Sequence, residues 1–155
     1  MQDANQAQFE IAVATIDIPL QVYQFSGHEQ LGSLYQFDVT FVCEDPELKL
    51  EEWLQLPVCL TLHHNNQNKI EYTPRYVHGI IESIEQLNTS FRYSTYRLSL
   101  VPIFSLLTYR TNFQVFQHKT VPDIIAEIYQ QAGILTNHFD IELFNAHEPR
   151  EYCVQ

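Results

Sequence analysis

The chain has 155 residues, with 19 acidic against 8 basic side chains and a formal net charge of −11. That length suits one domain, or one domain with the lead-in to another, and 45% hydrophobic with 13% aromatic residues is enough to bury a core, so disorder is not the default. An acidic chain whose few cations are scattered repels phosphate backbones, which sets nucleic acid aside as a partner; the acidity serves solubility, or an acidic face for a basic partner.

After a polar leader, 9–15 and 20–25 are predicted strands, and GHEQLGS at 27–33 is a predicted loop with turn residues at both ends. The cleanest alternation follows. Tyr35, Phe37, Val39, Phe41 and Cys43 share one face while Gln36, Asp38 and Thr40 share the other, so this is a half-buried strand that forms an antiparallel hairpin with the one before it. Glu44-Asp45-Pro46 ends the strand, because proline removes a donor and restricts its predecessor. LKLEEWLQL at 48–56 is too short for an independent helix and predicts one or two helical turns over a barrel mouth, plugged by Trp53. Pro57 stops it. Val58, Leu60 and Leu62 then alternate with Cys59, Thr61 and His63 in a further strand, and Asn65-Asn66-Gln67-Asn68 is a predicted polar loop.

The stretch YVHGIIESIEQLNTSFRYSTYRLSLV, 76–101, organises the chain as two strand-like runs joined at the turn-prone Asn88-Thr89-Ser90. Tyr96, Leu98 and Leu100 alternate with Arg97 and Ser99; the first run carries Val77, Ile80, Ile81, Ile84 and Leu87, with Gly79 where a strand can bend or bulge. Arms of ~10 residues exceed the usual 5–6 or so, and strands that long twist and coil rather than stay flat. The expected fold is therefore mainly β with minor α: an antiparallel, barrel-like domain of long curled hairpins and short capping helices.

Pro102 ends the hairpin, IFSLLTYR at 103–110 reads as a short apolar helix capping the sheet, and 113–116 reads as a brief strand. Thr120-Val121-Pro122-Asp123 is a helix start, with Thr120 as N-cap, proline in the first turn and an acid three residues on. Val121, Ile124, Ile125, Ile128, Tyr129 and Ala132 form one helical stripe, and Gly133 is the expected terminator. A last strand is predicted at 139–144, and the ending Arg150-Glu151-Tyr152-Cys153-Val154-Gln155 reads as a cut rather than a finished domain.

Candidate chemistry is thin. Cys43, Cys59 and Cys153 are an odd number with no close pair, which fits neither a zinc knuckle nor a disulfide framework and suits a reduced compartment. Among seven histidines, His63 and His64 are adjacent in a strand and point to opposite faces, no His-x-x-x-His occurs, and His78 reads as a barrel-wall residue. Glu82 with Glu85, Glu51 with Glu52, and Asp45 with Glu47 form no facing carboxylate pair. With no Gly-x-Ser-x-Gly elbow and no phosphate-cradling loop, no catalytic, cofactor-binding or metal residue is assigned, no cofactor is expected and the chain reads as a non-enzyme. No apolar run approaches ~18–20 residues, and the start lacks a charged and then apolar leader, so no membrane insertion or Sec-type signal is expected.

Arg75-Tyr76-Val77-His78-Gly79-Ile80-Ile81, followed by Tyr96-Arg97-Leu98-Ser99-Leu100-Val101-Pro102 and Leu106-Leu107-Thr108, resembles the N-terminal segment of the type VI secretion tip proteins, the VgrG family, whose head is similar to the baseplate hub of contractile-tailed phages. The resemblance continues through Phe116-Gln117, Val121-Pro122-Asp123-Ile124-Ile125 and Arg150-Glu151-Tyr152-Cys153-Val154-Gln155, and upstream through Phe25-Ser26-Gly27-His28-Glu29 and Leu34-Tyr35-Gln36-Phe37. Leu56 departs from it, standing where the family usually has a glycine. The resemblance implies a first barrel-like hub domain over 1–111 and the start of the next hub subdomain over 112–155, truncated at its end. It further implies a structural and docking part of a trimeric spike hub that sits on the hexameric tube protein (Hcp), carries effectors or adaptors, is cytoplasmic before firing, and is secreted through the apparatus without a cleaved signal. The alternatives are a baseplate hub component of a phage or phage-derived tail, and a small β-barrel sugar-binding or hydrolytic domain. An isolated segment of this kind is expected to be monomeric at micromolar concentration or to form ill-defined oligomers.

Overall fold

A computed structural model describes residues 9–63 and 73–154. The protein is mainly β, and its strands are β1 (Phe9–Val13), β2 (Gln21–His28), β3 (Gln36–Cys43), β4 (Pro57–Leu62), β5 (Arg75–Thr89), β6 (Ser94–Val101), β7 (Val115–Lys119) and β8 (Arg150–Val154). One α-helix, α1 (Val121–Gln131), and 3-10 turns at Leu50–Trp53, Ile103–Tyr109 and Thr136–His138 complete the described elements. The chain forms two compact units, Met1–Pro102 and Ile103–Gln155.

The first unit is a six-stranded antiparallel sheet in the order β1-β4-β5-β6-β3-β2. It curls into a half-barrel: Phe9 on one edge strand meets Phe25 on the other, edge to face, with ring centroids 4.9 Å apart. The core lies on the concave face. Phe37, Val39, Phe41 and Cys43 of β3 alternate into it as the sequence predicts, beside Tyr96, Leu98 and Leu100 of β6. Trp53 closes one end as expected: it is buried, its ring stacks on Phe41 at 5.9 Å, and Phe41 stacks on Tyr96 at 5.6 Å.

The long hairpin departs from a simple period of two. Ile81 and Ile84 are three residues apart yet both reach the core side, because Glu82 bulges out of the β5–β6 ladder. A second bulge at Leu87 leaves that side chain exposed. Gly79 is not the bulge; a Cβ there would lie 2.3 Å from the Val101 carbonyl oxygen, so its role is close backbone approach. The turn sits later than Asn88-Thr89-Ser90 suggests: Asn88 and Thr89 still pair with Thr95 and Ser94, and the reversal is made by residues 90–93, closed by Ser90 N–H donating to the Tyr93 carbonyl at 2.9 Å. β2 likewise runs through Gly27 and His28, which the sequence places in a loop, and Val22 and Phe25 share a face through a bulge at Tyr23.

Ahead of Pro57, Gln55 rather than Leu56 takes the left-handed conformation, φ 62°, and its N–H donates to the Ile81 carbonyl at 2.8 Å. The predicted polar loop Asn65–Asn68 and His64 lie outside the described residues.

In the second unit, α1 begins with the capping box that the sequence announces: Asp123 N–H donates to Thr120 Oγ1 and Thr120 N–H to Asp123 Oδ2, each at 3.3 Å. Gly133, φ 78°, follows its end. The helical stripe is only partly sunk, with Ile124 and Ala132 buried, Ile128 and Tyr129 half-buried, and Ile125 exposed. The expected strand at 113–116 is shifted to β7, leaving Phe113 in solvent, and the strand expected at 139–144 is irregular chain. Its place is taken by β8, which pairs antiparallel with β7 through Val115 opposite Val154 and Phe116 opposite Cys153.

Candidate docking surfaces

The side chains that carry potential chemistry are dispersed. His63 Nε2 lies 3.2 Å from Glu10 Oε1, and His78 is exposed, its ring stacked on Tyr76 and its carbonyl accepting a hydrogen bond from the Tyr35 hydroxyl. Glu85 pairs with Arg97 at 3.4 Å, Glu52 with Lys49 at 3.2 Å, and Asp45 Oδ1 accepts the Glu47 N–H at 2.9 Å. Glu85, Glu52 and Asp45 thus each answer a cation or a backbone N–H. No cluster of three His, Cys, Asp or Glu side chains with metal-holding geometry occurs among the described residues. Cys43 is buried, and Cys59 and Cys153 are half-buried free thiols.

What the structure does offer is surface relief. In the first unit a cleft of about 340 Å³ opens between residues 15–18 and 45–53. Half-buried Ile16, Ile18 and Leu48 make its apolar lining, and exposed Asp17, Asp45 and Glu47 stand on its rim. Within the same lining, Glu52 is neutralised by Lys49. The topology creates this cleft, because the β1–β2 connection and the β3–β4 connection meet at one end of the curled sheet.

That end also carries the β5–β6 tip. Gln86 Nε2 donates both to Thr89 Oγ1, 2.8 Å, and to the Pro46 carbonyl, 3.1 Å; the buried Tyr96 hydroxyl donates to the Asp45 carbonyl at 3.0 Å. The 45–48 segment is thereby tied to the hairpin. At the apex Phe91 is fully exposed, 108% by relative area, and Arg92 lies over the Tyr93 ring at 5.4 Å. Sequence reading missed both features. The rim residues are distant in sequence, and Phe91 was absorbed into the second strand-like run.

The second unit has a cleft of about 460 Å³ over Phe104, Tyr129 and Phe139, whose rings are in successive contact at 5.1 and 4.8 Å. On the outer side of its small sheet, Val115, Tyr152 and Val154 are exposed.

Sequence comparison finds the family described as phage tail baseplate hub (GPD), matched over residues 28–155. The chain is similar to the type VI secretion system spike protein VgrG4b of Pseudomonas aeruginosa, 36% identical over 152 residues, covering 98% of this chain and 18% of that protein. It is similar to VgrG5 of the same organism, 31% identical over 153 residues, again covering 98% of this chain and 18% of the relative. The chain therefore spans under a fifth of the length of these curated relatives. Among solved structures its fold is like that of the E. coli c3393 protein, described as a type VI secretion component with structural similarity to the T4 bacteriophage tail proteins gp27 and gp5; the TM-score is 0.72 at 23% identity, over 94% of this chain and 38% of that one. A family match running from residue 28 to residue 155, on a curled antiparallel sheet of the same fold, makes this chain a member of the phage tail baseplate hub family.

Proposed function

We propose that the chain is a structural and docking module of a type VI secretion spike, the segment by which a hub of three chains seats on the hexameric tube protein (Hcp) and helps deliver effectors or their adaptors. The observation that carries this reading is the 36% identity to a spike protein over 152 residues, nearly the whole chain. The physical character of the molecule supports it: a rigid curled sheet, dispersed acids and histidines, and exposed apolar relief suit a part that binds by shape. In this reading the segment has no turnover, no metal and no nucleic-acid partner. It resides in the cytoplasm before firing and leaves with the apparatus, without a cleaved signal. In the same reading residues 1–111 correspond to the first hub domain and 112–155 to part of the next, whereas the compact units divide between Pro102 and Ile103. No helix of the described residues is long and apolar enough to cross a membrane.

The test is a chimera in which this chain replaces the matching segment of VgrG4b in Pseudomonas aeruginosa. Both the chimera and the tube protein are expected in the culture medium at near-native levels. A chimera that accumulates in cells as a stable trimer while neither protein reaches the medium would overturn the reading. The family's description favours a second reading, a hub component of a phage or phage-derived tail. Capsid and packaging genes beside this one would decide for it.

A further inference from the structure

We propose that the β5–β6 tip of one copy of this chain docks in the acid-rimmed cleft of the first unit of a second copy. The two surfaces are opposite in charge and alike in apolar character. The cleft sets Asp17, Asp45 and Glu47 around Ile16, Ile18 and Leu48, and none of those three acids is held in an ion pair among the described residues. The tip presents a fully exposed Phe91 beside Arg92, whose guanidinium lies against the Tyr93 ring and has no carboxylate partner among the described residues. On a chain of charge −11, Arg92 beside the exposed Phe91 makes the tip a positive, apolar point, and the acid-rimmed cleft is its complement.

The tip is also built to hold its shape. Ser90 Oγ donates to the Tyr93 carbonyl at 2.7 Å and accepts the Tyr93 N–H at 3.3 Å, while Thr89 pairs with Ser94 beneath. A preorganised aromatic anchor loses little entropy on docking. The same pairing holds Phe91 away from its own molecule, so the ring is free to enter the complementary cleft of a second copy. One ring and one guanidinium cover much less than the ~1,200 Å² of a durable interface, so the contact is weak between two free chains and gains strength where several copies are held together.

Sedimentation of the full chain from about 5 to about 500 µM, the range where a contact of this size titrates, is the experiment. The weight-average sedimentation coefficient is expected to rise above ~100 µM, and the rise to shrink in ~0.5 M salt. Phe91→Ser should weaken the association about tenfold or more. Arg92→Glu alone, and Asp17→Arg with Glu47→Arg alone, should each abolish it, whereas mixing these two proteins should restore it, because the acidic tip then meets a basic cleft. All four positions are exposed, and unchanged thermal melts confirm that the variants fold. A chain that stays monomeric to ~500 µM, association indifferent to Phe91→Ser, or a mixture no better than its parts would each overturn the proposal. So would Phe91-dependent binding to anionic vesicles by a monomeric chain, which would make the tip a lipid probe.

Discussion

Tyr96 brings a polar group into the buried interior, as does Ser94 two residues before it. Its ring is wholly buried between Phe41 and the sheet, and its hydroxyl donates to Asp45 and accepts from Gln86. Tyr96→Phe should cost about 1 kcal/mol, because both partners lose a hydrogen bond without a cavity opening. Burial pushes this hydroxyl up from 10.0 and the Cys43 thiol up from 9.0. Both folded values lie above the unfolded ones, so the stability they contribute is whole below about pH 9 and is lost as pH rises through the folded values. Urea midpoints should hold level from about pH 7 to about 9 and fall above; the double variant Cys43→Ala with Tyr96→Phe should fall less steeply. Tyr35, raised by burial and by the Glu29 charge, leaves it a residual slope. At Gly79 the constraint is steric: Gly79→Ala drives a methyl to 2.3 Å from a backbone oxygen, and should cost about 2 kcal/mol or more in denaturant unfolding.

At the scale of elements, α1 separates what a helix announces from what its surroundings bury. Ile124→Asp should cost about 3 kcal/mol, since Ile124 is buried, while Ile128→Asp, expected from the stripe alone to be as severe, should cost about half as much from its half-buried position. Thermal melts of the two variants check the ranking, and equal shifts would contradict it. The cap, stripe and terminator of α1 were legible because a helix is written in local spacing, and β3 was legible because Phe37 to Cys43 keep a strict period of two. The strands that slip by a residue were legible as strands, but not the faces their side chains take. Val22 with Phe25, and Ile81 with Ile84, share a face only because the ladder bulges between them, and a bulge is decided by the partner strand. β8 was hidden for a related reason: Arg150, Glu151 and an exposed Tyr152 make a strand with little apolar face, defined by pairing with β7. The cleft and the tip were illegible in the same sense, since Asp17 and Glu47 become neighbours only when two loops meet at one end of the sheet.

For the molecule as a whole, burial is unevenly divided, and local stability should follow it. β3 and β6 are central strands whose inward side chains are almost all inaccessible, and each is paired on both sides. Opening them exposes the entire concave core at once, so their amides should exchange only through global unfolding of the first unit. β7 and β8 form a two-stranded sheet, and among the described residues neither edge of it pairs with a further strand. Two strands are marginal by themselves, and here Val115, Tyr152 and Val154 gain little from folding because they remain exposed. Hydrogen exchange followed by mass spectrometry or NMR should therefore place β3 and β6 amides at the slowest limit. Amides of β8 should open at a cost about 2 kcal/mol or more lower, equivalent to exchange roughly thirtyfold faster. Adding denaturant well below the unfolding midpoint should leave that gap in place, because the β7–β8 opening exposes little surface. Equal protection in β6 and β8 would mean that the second unit is held by contacts its own packing does not supply.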